Sequence, residues 1–322
     1  MASKFNRSLI VDSVVLGVVG ALSAQLFMFM LDYCDAFFMK LIADYQAPGL
    51  PNEGGMLTQT IGAHWLWFIP LVTTVGGLIS GFIIYTWAPE AEGHGTDTAV
   101  RAFHKQDGNI RARVPFLKMI ASAITIGSGG AAGREGPIAL IASGFGSLYA
   151  LWTGRSAKEK RILVLVGMAA GLSAIFRSPI GSAIFAVEVL YGGMEFEAGA
   201  LIYTTLAAIV AYTVNGVFVG WQPLFQVPAN LQIHDIYEYG LYILLGIGCG
   251  LMSTIVPPVF YGIRDAFHKI SIPDHFKPAI GGLGVGLLAL WLPQVLGGGY
   301  GWIQEAINGQ LGLKIMIILV FA

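Results

Sequence analysis

The sequence predicts an all-α polytopic membrane protein, in which an inverted-topology repeat carries broken, re-entrant helices and the second half is incomplete. Three observations support this fold class: the composition, the lengths of the apolar segments and an internal repeat. Of the 322 residues, 55% are apolar and 11% are charged. Soluble domains carry about 25% charged residues, so this chain is expected to be an integral, multi-pass membrane protein.

Apolar segments define the predicted helices. Several exceed the roughly 20 residues that a helix needs to cross a membrane, whereas others are half that length or are broken by glycine. Short, interrupted segments are typical of discontinuous helices that line a transport site. The segments lie at about 9–42, 64–88, 114–126, 137–152, 162–192, 199–220, 239–262, 279–296 and 311–322.

The first segment is predicted to be a membrane helix rather than a signal peptide. Lys4 and Arg7 precede it, but the apolar run that follows is too long for a signal-peptide core. Cys34 and Cys249 both lie in apolar segments, where a free cysteine behaves as a small hydrophobic residue, and no disulfide is predicted.

The distribution of Lys and Arg predicts the orientation. Segments 101–118, 155–161 and 264–277 are basic, whereas 44–63 and 220–238 carry acidic residues and no Lys or Arg. Because Lys and Arg favour the cytoplasmic side, the N-terminus and the three basic segments are predicted to be inside, and the two acidic ones outside. The expected location is the plasma membrane or the inner cell membrane.

Residues 76–95 resemble residues 281–299, which indicates an internal repeat. The first half is expected to begin inside and the second half to begin after the outside loop at 220–238, so the halves, 1–220 and 221–322, are predicted to be inverted. Inverted repeats place a substrate site near the membrane midplane. Chance matching in a glycine-rich chain is the alternative. The matches are Gly76-Gly77-Leu78 with Gly281-Gly282-Leu283, Gly81 with Gly286, and, after a one-residue slip, Trp87, Pro89, Gly93 and Gly95 with Trp291, Pro293, Gly297 and Gly299.

The repeat also predicts that the second half is partial. Lys118 and Lys314 lie in similar surroundings, and Gly127 follows Lys118 by nine residues. The position nine residues after Lys314 lies one past the last residue, Ala322. We therefore expect a truncated second half, with no cytoplasmic regulatory domain in this chain.

An Arg-Glu pair interrupts the apolar sequence within residues 127–137, Gly-Ser-Gly-Gly-Ala-Ala-Gly-Arg-Glu-Gly-Pro. Charged residues at membrane depth are tolerated where protein or a water-filled path surrounds them. The glycines allow backbone N–H groups to approach a ligand, and Pro137 suits the first turn of a helix. A helix N-terminus attracts anions, so Glu135 would place its own charge where an anion binds. This arrangement predicts a gate.

The motif Gly133-Arg134-Glu135-Gly136-Pro137, preceded by Gly93-His94-Gly95, resembles the CLC family of chloride channels and proton-coupled chloride exchangers. Phe185-Ala186-Val187-Glu188 and Gly297-Gly298-Gly299-Tyr300 extend the resemblance over the whole chain. The resemblance implies a homodimer that moves chloride between the inverted halves of each subunit, with Glu135 as the gating residue. It would place the family's third motif and pore tyrosine beyond the last residue. The implied anion-binding positions are Gly93, His94, Gly95, Thr96, Gly133, Arg134, Gly136 and Pro137.

Two departures from the family pattern bear on the mechanism. The family's first selectivity motif commonly reads Gly-Ser-Gly-Ile-Pro, whereas this chain has Gly93-His94-Gly95-Thr96-Asp97, so a histidine N–H replaces the serine hydroxyl as candidate donor. Val189 follows Glu188 at the position where well-studied exchangers carry an internal glutamate. Without that carboxylate a passive, voltage-gated-type chloride channel is predicted, and a chloride/proton antiporter is the alternative.

Several of these residues also have a structural interpretation. Glu135 could pair with Arg134 or cap its helix, and Arg134 is interpreted chiefly as holding the helix break together. Glu188, on an apolar helix, is expected to be shielded from solvent, in either a structural or a supporting functional role. Arg177 marks either a helix break or an ordinary boundary, and His94 is either an anion donor or a turn residue.

Other functional classes fit the sequence less well. Gly127-x-Gly129-x3-Gly133 superficially resembles a dinucleotide loop, but its flanks are membrane segments. No hydrolase pattern is visible, the histidines lack metal-ligand spacing, and a net charge of −1 gives no reason to expect nucleic acid. We predict no enzyme activity, cofactor or metal, with chloride and the lipid bilayer as partners. A non-conducting membrane enzyme or a scaffold is the alternative from another class.

Overall fold

The protein is a bundle of α-helices, described here from a computed structural model over residues 7–64, 66–192, 198–228 and 235–320. A two-stranded antiparallel sheet pairs Tyr45 with Ile61, between β1 (Tyr45–Gln46) and β2 (Thr60–Ile61). Short 3-10 turns occupy Pro51–Glu53, Pro89–Ala91, Asp274–Phe276 and Pro293–Val295. The helices are α1 (Arg7–Asp35, continued by a π-helix over Ala36–Ile42), α2 (Ile69–Trp87), α3 (Thr96–Lys105), α4 (Arg113–Gly127), α5 (Glu135–Trp152), α6 (Ala157–Phe176), α7 (Pro179–Tyr191), α8 (Ala198–Val219), α9 (Ile236–Lys269), α10 (Lys277–Ala289), α11 (Tyr300–Ile307) and α12 (Leu313–Leu319).

Four helices of the described chain are long and apolar enough to cross a membrane. They cover Arg7–Ile42, Ile69–Trp87, Gly199–Val219 and Ile236–Lys269. Most of the other helices are shorter, as the interrupted apolar segments predict, and α6, with 20 residues, begins with a charged first turn. The multi-pass α-helical fold class is therefore confirmed.

The predicted segment 162–192 contains a helix break. Arg177 has a φ of 53°, a left-handed conformation that ends α6, and Pro179 then begins α7. Proline needs no backbone N–H at the first helical position, so the new helix begins there without losing a hydrogen bond. Arg177 thus marks a break rather than an ordinary boundary.

Helices α5 and α6 form the centre of the bundle, flanked by α1 and α8. A helix that is apolar on all sides is stable when other helices surround it. Most of the length of α5 and α6 is apolar in this way, and many of their large side chains are fully buried. Examples are Ile138, Leu140, Ile141, Leu163, Leu165 and Met168.

Helices α2 and α10 pack in antiparallel directions through glycines that match in the internal repeat. Gly77 packs against Pro278, and its counterpart Gly282 packs against Thr73. Such reciprocal contacts indicate a two-fold axis between the halves. Because the helices are antiparallel, the two-fold axis is perpendicular to them. One half of the repeat is therefore inverted relative to the other. The inverted repeat is confirmed, whereas the domain boundary near residue 220 stays a prediction. The same reciprocity links Gly81 to His275 and Gly286 to Pro70.

Loops that were assigned to one side of the membrane lie together in the structure. The two loops predicted to be outside meet where Asn52 Nδ2 donates to the carbonyl oxygen of Pro223 over 2.7 Å. Two basic segments predicted to be inside meet through the ion pair of Arg161 with Asp107, at 2.6 Å. The grouping agrees with the charge pattern, and which face is cytoplasmic stays a prediction.

Candidate functional site

The N-termini of α3 and α5 meet in the structure, which brings together the two motifs that the sequence singled out. Gly95 precedes α3 with a φ of 116°, a conformation that favours glycine. A Cβ atom at Gly95 would lie 2.6 Å from the carbonyl oxygen of Gly136, and one at Gly136 would lie 2.3 Å from that of His94. Only glycine at these positions allows the two helix ends to approach this closely.

The two helix ends can attract an anion. Within the described chain, no side chain caps the first turn of α3 or of α5. The unpaired backbone N–H groups and the helix dipoles therefore give both ends a partial positive charge. Two such ends beside each other form an arrangement that suits a small anion.

A cavity of about 460 Å³ lies beside these helix ends. It is lined by Gly93, His94, Gly133 and Pro137, four of the predicted anion-binding residues. His94 Nδ1 lies 2.8 Å from the hydroxyl oxygen of Thr96, so its ring is oriented by the first residue of α3. Residues of both motifs thus line a single space, whereas the side chains of Arg134 and Glu135 line other cavities.

Lys118 is a residue of this cavity that the sequence analysis did not assign to the site. Its ammonium group is buried and donates to the carbonyl oxygens of Gly93, at 2.6 Å, and of Ala91, at 3.0 Å. These bonds hold the segment that leads into α3. A lysine within an apolar segment was the available signal, because such a charge is costly at membrane depth.

Glu135 lies at the first turn of α5 and faces a second cavity, of about 420 Å³. The aromatic rings of Phe176, Phe185 and Phe225 line this space. A carboxylate oxygen of Glu135, Oε1, accepts a hydrogen bond from the hydroxyl of Tyr300. The predicted gate is therefore held by the second half of the repeat, through a contact that the sequence analysis missed.

Arg134 pairs with Glu53 rather than with Glu135. Its Nη2 and Nη1 atoms lie 2.8 Å and 3.1 Å from the two carboxylate oxygens of Glu53, and only 5% of the Arg134 side chain is exposed. Its Cζ atom also lies 4.4 Å from the centre of the Tyr300 ring. These contacts agree with the structural interpretation of Arg134, and direct anion binding by its guanidinium stays a prediction.

Arg177 joins two loops, the one that contains Asn52 and Glu53 and the one that contains Gln222. Its guanidinium donates to the carbonyl oxygens of Gln222, at 2.8 Å, and Asn52, at 3.1 Å. Asn52 Oδ1 in turn accepts from Gln226 Nε2 at 2.7 Å. Arg177 therefore ties the helix break between α6 and α7 to the loops that contain Asn52 and Gln222.

Glu188 lies near the C-terminal end of α7, on a face that the rest of the described chain leaves exposed. Ile184, one turn earlier, is exposed on the same helix. Because lipid or a second copy can cover such a face, the shielding of the Glu188 carboxylate from solvent stays a prediction. Glu188 does not line the cavity that contains Glu135, although Phe185, one turn earlier, does. Apolar neighbours in sequence did not reveal which face of α7 other helices cover. Its supporting role stays a prediction.

Potential metal ligands are scattered in this structure. Among the described residues, no three His, Cys, Asp or Glu side chains converge in a way that would hold a metal ion. Cys34 and Cys249 are free thiols.

Known proteins resemble this chain along most of its length. The family described as voltage gated chloride channel matches residues 76–322. Chloride channel protein CLC-e of Arabidopsis thaliana is 31% identical over 307 residues, which are 90% of this chain and 41% of that protein. Voltage-gated ClC-type chloride channel ClcB of Shigella flexneri is 30% identical over 274 residues, 83% of this chain and 63% of that protein.

Solved structures show the same fold. A slow cyanobacterial Cl−/H+ antiporter matches 98% of this chain and 71% of its own, with a TM-score of 0.79 and 18% identity. A CLC-type fluoride/proton antiporter matches 99% of this chain and 74% of its own, with a TM-score of 0.78 and 21% identity. The chain thus spans most of these structures, but only 41% and 63% of the lengths of the two curated relatives.

Proposed function

Because this chain belongs to the voltage-gated chloride channel family, we propose that it carries chloride or a similar small anion across the membrane, with Glu135 as the gate. The observation that supports this most directly is the meeting of two uncapped helix N-termini, of α3 and α5, with the Glu135 carboxylate at one of them. An ionised carboxylate there competes with an anion for the same partial positive charge.

The proposed path passes Glu135 and then the cavity beside Gly93 and His94. Unprotonated Glu135 occupies the outer anion site, and its protonation or displacement opens the path. His94 supplies an N–H donor in the inner cavity, where its ring is oriented by Thr96. Conduction is therefore proposed to rise as the pH falls, because protonation removes the competing charge.

Glu135→Gln tests this proposal in proteoliposomes that contain the full-length protein. Glutamine resembles the protonated carboxyl, so chloride flux is expected to lose its pH dependence and to remain at the level that the wild type reaches in acid. Glu90→Gln, which removes a carboxylate from a surface ion pair with Arg111, is the matched control and should keep the wild-type pH profile. Unchanged flux and unchanged pH dependence in Glu135→Gln would contradict the gate.

Passive conduction and proton-coupled exchange are the two candidate modes. Val189, beside Glu188, favours a channel, because no second carboxylate follows Glu188 to pass protons inward. The names of both solved structures, a Cl−/H+ and a fluoride/proton antiporter, favour exchange. An imposed chloride gradient is expected to drive no net proton uptake into vesicles if the protein is a channel. Proton uptake against a pH gradient would establish the antiporter instead.

The proposal includes two further features of the family resemblance. We place the protein in the plasma membrane or the inner cell membrane. The N-terminus lies on the cytoplasmic side, and the loops around Asn52 and Gln222 lie outside. We also propose a homodimer, in which each copy has its own anion path. Apolar side chains on α7 and α8, such as Ile184 and Ile209, are exposed and available to lipid or to a second copy.

A further inference from the structure

Tyr300 connects the second half of the repeat to the gate. It is the first residue of α11, and in the repeat it matches Thr96, the first residue of α3. The glycines before the two helices, Gly95 and Gly299, both have positive φ. Tyr300, the counterpart of Thr96, thus contacts the Glu135 carboxylate, which belongs to the first half of the repeat.

The Tyr300 ring is held on several sides. The guanidinium of Arg134 lies over one face, with Cζ 4.4 Å from the ring centre. The ring of Phe225 lies 6.4 Å away, and the backbone at Gly298 approaches so closely that a Cβ atom there would be 2.6 Å from the Tyr300 ring. Arg134 is itself fixed by its ion pair with Glu53. The hydroxyl is therefore directed at Glu135 by a rigid support.

We propose that Tyr300 is a positioning residue whose hydroxyl holds the ionised Glu135 carboxylate in the closed gate. The inference rests on the proposed gating role of Glu135. A phenol hydroxyl stays protonated throughout the physiological pH range, so it donates a hydrogen bond whenever the carboxylate is charged. A hydrogen bond to the charged form stabilises that form. Opening by protonation must therefore overcome this bond.

The two charged groups beside Glu135 have opposite effects on the ionised Glu135 carboxylate: the positive one stabilises it and the negative one destabilises it. Arg134 adds positive charge next to it in sequence and Glu53 balances that charge through its ion pair. Tyr300 adds a neutral donor, whose removal leaves the balance between these charges unchanged. Tyr300→Phe therefore removes the hydroxyl and its hydrogen bond to Glu135, while it keeps the ring and the contact of the ring with the Arg134 guanidinium.

Tyr300→Phe is expected to raise the pH midpoint of chloride flux by about one to two units, because a hydrogen bond to a charged group has about that effect on protonation. The full-length protein would be measured in proteoliposomes. Tyr242→Phe, an exposed tyrosine of α9, is the matched control and should keep the wild-type midpoint. In a Glu135→Gln background, Tyr300→Phe should have no further effect on flux.

The outcomes separate this inference from the proposed function. If Glu135→Gln abolishes the pH dependence while Tyr300→Phe keeps the wild-type midpoint, the positioning role is wrong and the gate stands. If Tyr300→Phe changes flux equally with and without Glu135, the tyrosine acts elsewhere and the inference fails. If Glu135→Gln itself changes nothing, both proposals fail. Glu135→Asp, which shortens the carboxylate's reach, provides a second variant and should raise the midpoint without adding to Tyr300→Phe.

Discussion

Glu53→Gln is expected to destabilise the folded protein by about 3 kcal/mol, because it leaves the buried Arg134 guanidinium without a compensating charge. The guanidinium makes two contacts with the Glu53 carboxylate, of 2.8 Å and 3.1 Å, and 5% of the Arg134 side chain is exposed. A glutamine oxygen can still accept one of these hydrogen bonds, so the effect should be smaller than that of complete truncation. The measurement is thermal unfolding of the purified protein in detergent.

The same ion pair offers a rescue and a control. Glu53→Gln combined with Arg134→Met should recover most of the lost stability, because neither side chain then carries a buried charge. Glu90→Gln breaks an exposed pair with Arg111 and should change stability little. Equal effects of Glu53→Gln and Glu90→Gln would show that burial of Arg134 contributes nothing to its pairing energy.

The Glu53 variant also has an expected effect on gating, of opposite sign to that of Tyr300→Phe. An uncompensated Arg134 charge next to Glu135 favours the ionised carboxylate. The carboxylate then takes up a proton at lower pH, so the pH midpoint of flux should fall in Glu53→Gln. A rise in the midpoint would mean that the guanidinium moves away once its partner is lost.

Gly282→Ala is expected to destabilise the protein by about 1–3 kcal/mol, because it overpacks the crossing of α2 and α10. A Cβ atom at Gly282 would lie 2.2 Å from the backbone oxygen of Thr73, and a backbone atom cannot move aside as a side chain can. The crossing joins the two halves of the repeat, so the damage extends to both. Thermal unfolding in detergent measures the change.

Gly284→Ala is the matched control for this substitution. Gly284 lies on the same helix, two residues later, and a Cβ atom there would meet no other atom within 4 Å. Alanine has the higher helix propensity, so this variant should be as stable as the wild type or more stable by about 0.5–1 kcal/mol. A loss of stability in both variants, of similar size, would show that the close contact at Gly282 is not the cause.

Much of the fold could be predicted from the sequence because the bilayer interior offers no water to pair with backbone polar groups. Every backbone polar group at membrane depth must be paired within the protein, so long apolar segments become helices. The predicted segments contain ten of the helices described, whereas α3 and α11 lie between segments and were not predicted. The matched glycines of the repeat identified the α2–α10 crossing. Apolar neighbours do not tell which face of a helix is covered within the chain, so the sequence did not indicate that Glu188 lies on an exposed face of α7.

The candidate site was only half visible in the sequence. Both glycine-rich motifs could be found, since each has a local reason for its residues: glycine for close approach and proline for a helix start. The partners of those motifs could not be found in this way. Tyr300 lies 165 positions after Glu135, and Glu53 lies 81 positions before Arg134, so no spacing rule connects them.

The sequence by itself determined that this chain is a membrane helix bundle with an inverted repeat and a carboxylate at a helix N-terminus. Composition and local backbone chemistry carry that information. Only the tertiary structure decided which charges meet: Arg134 pairs with Glu53, and Glu135 accepts from Tyr300. The physical reason is that a buried charge or donor takes whichever partner the packing of distant segments brings within hydrogen-bond distance, and adjacency in the chain does not set that distance.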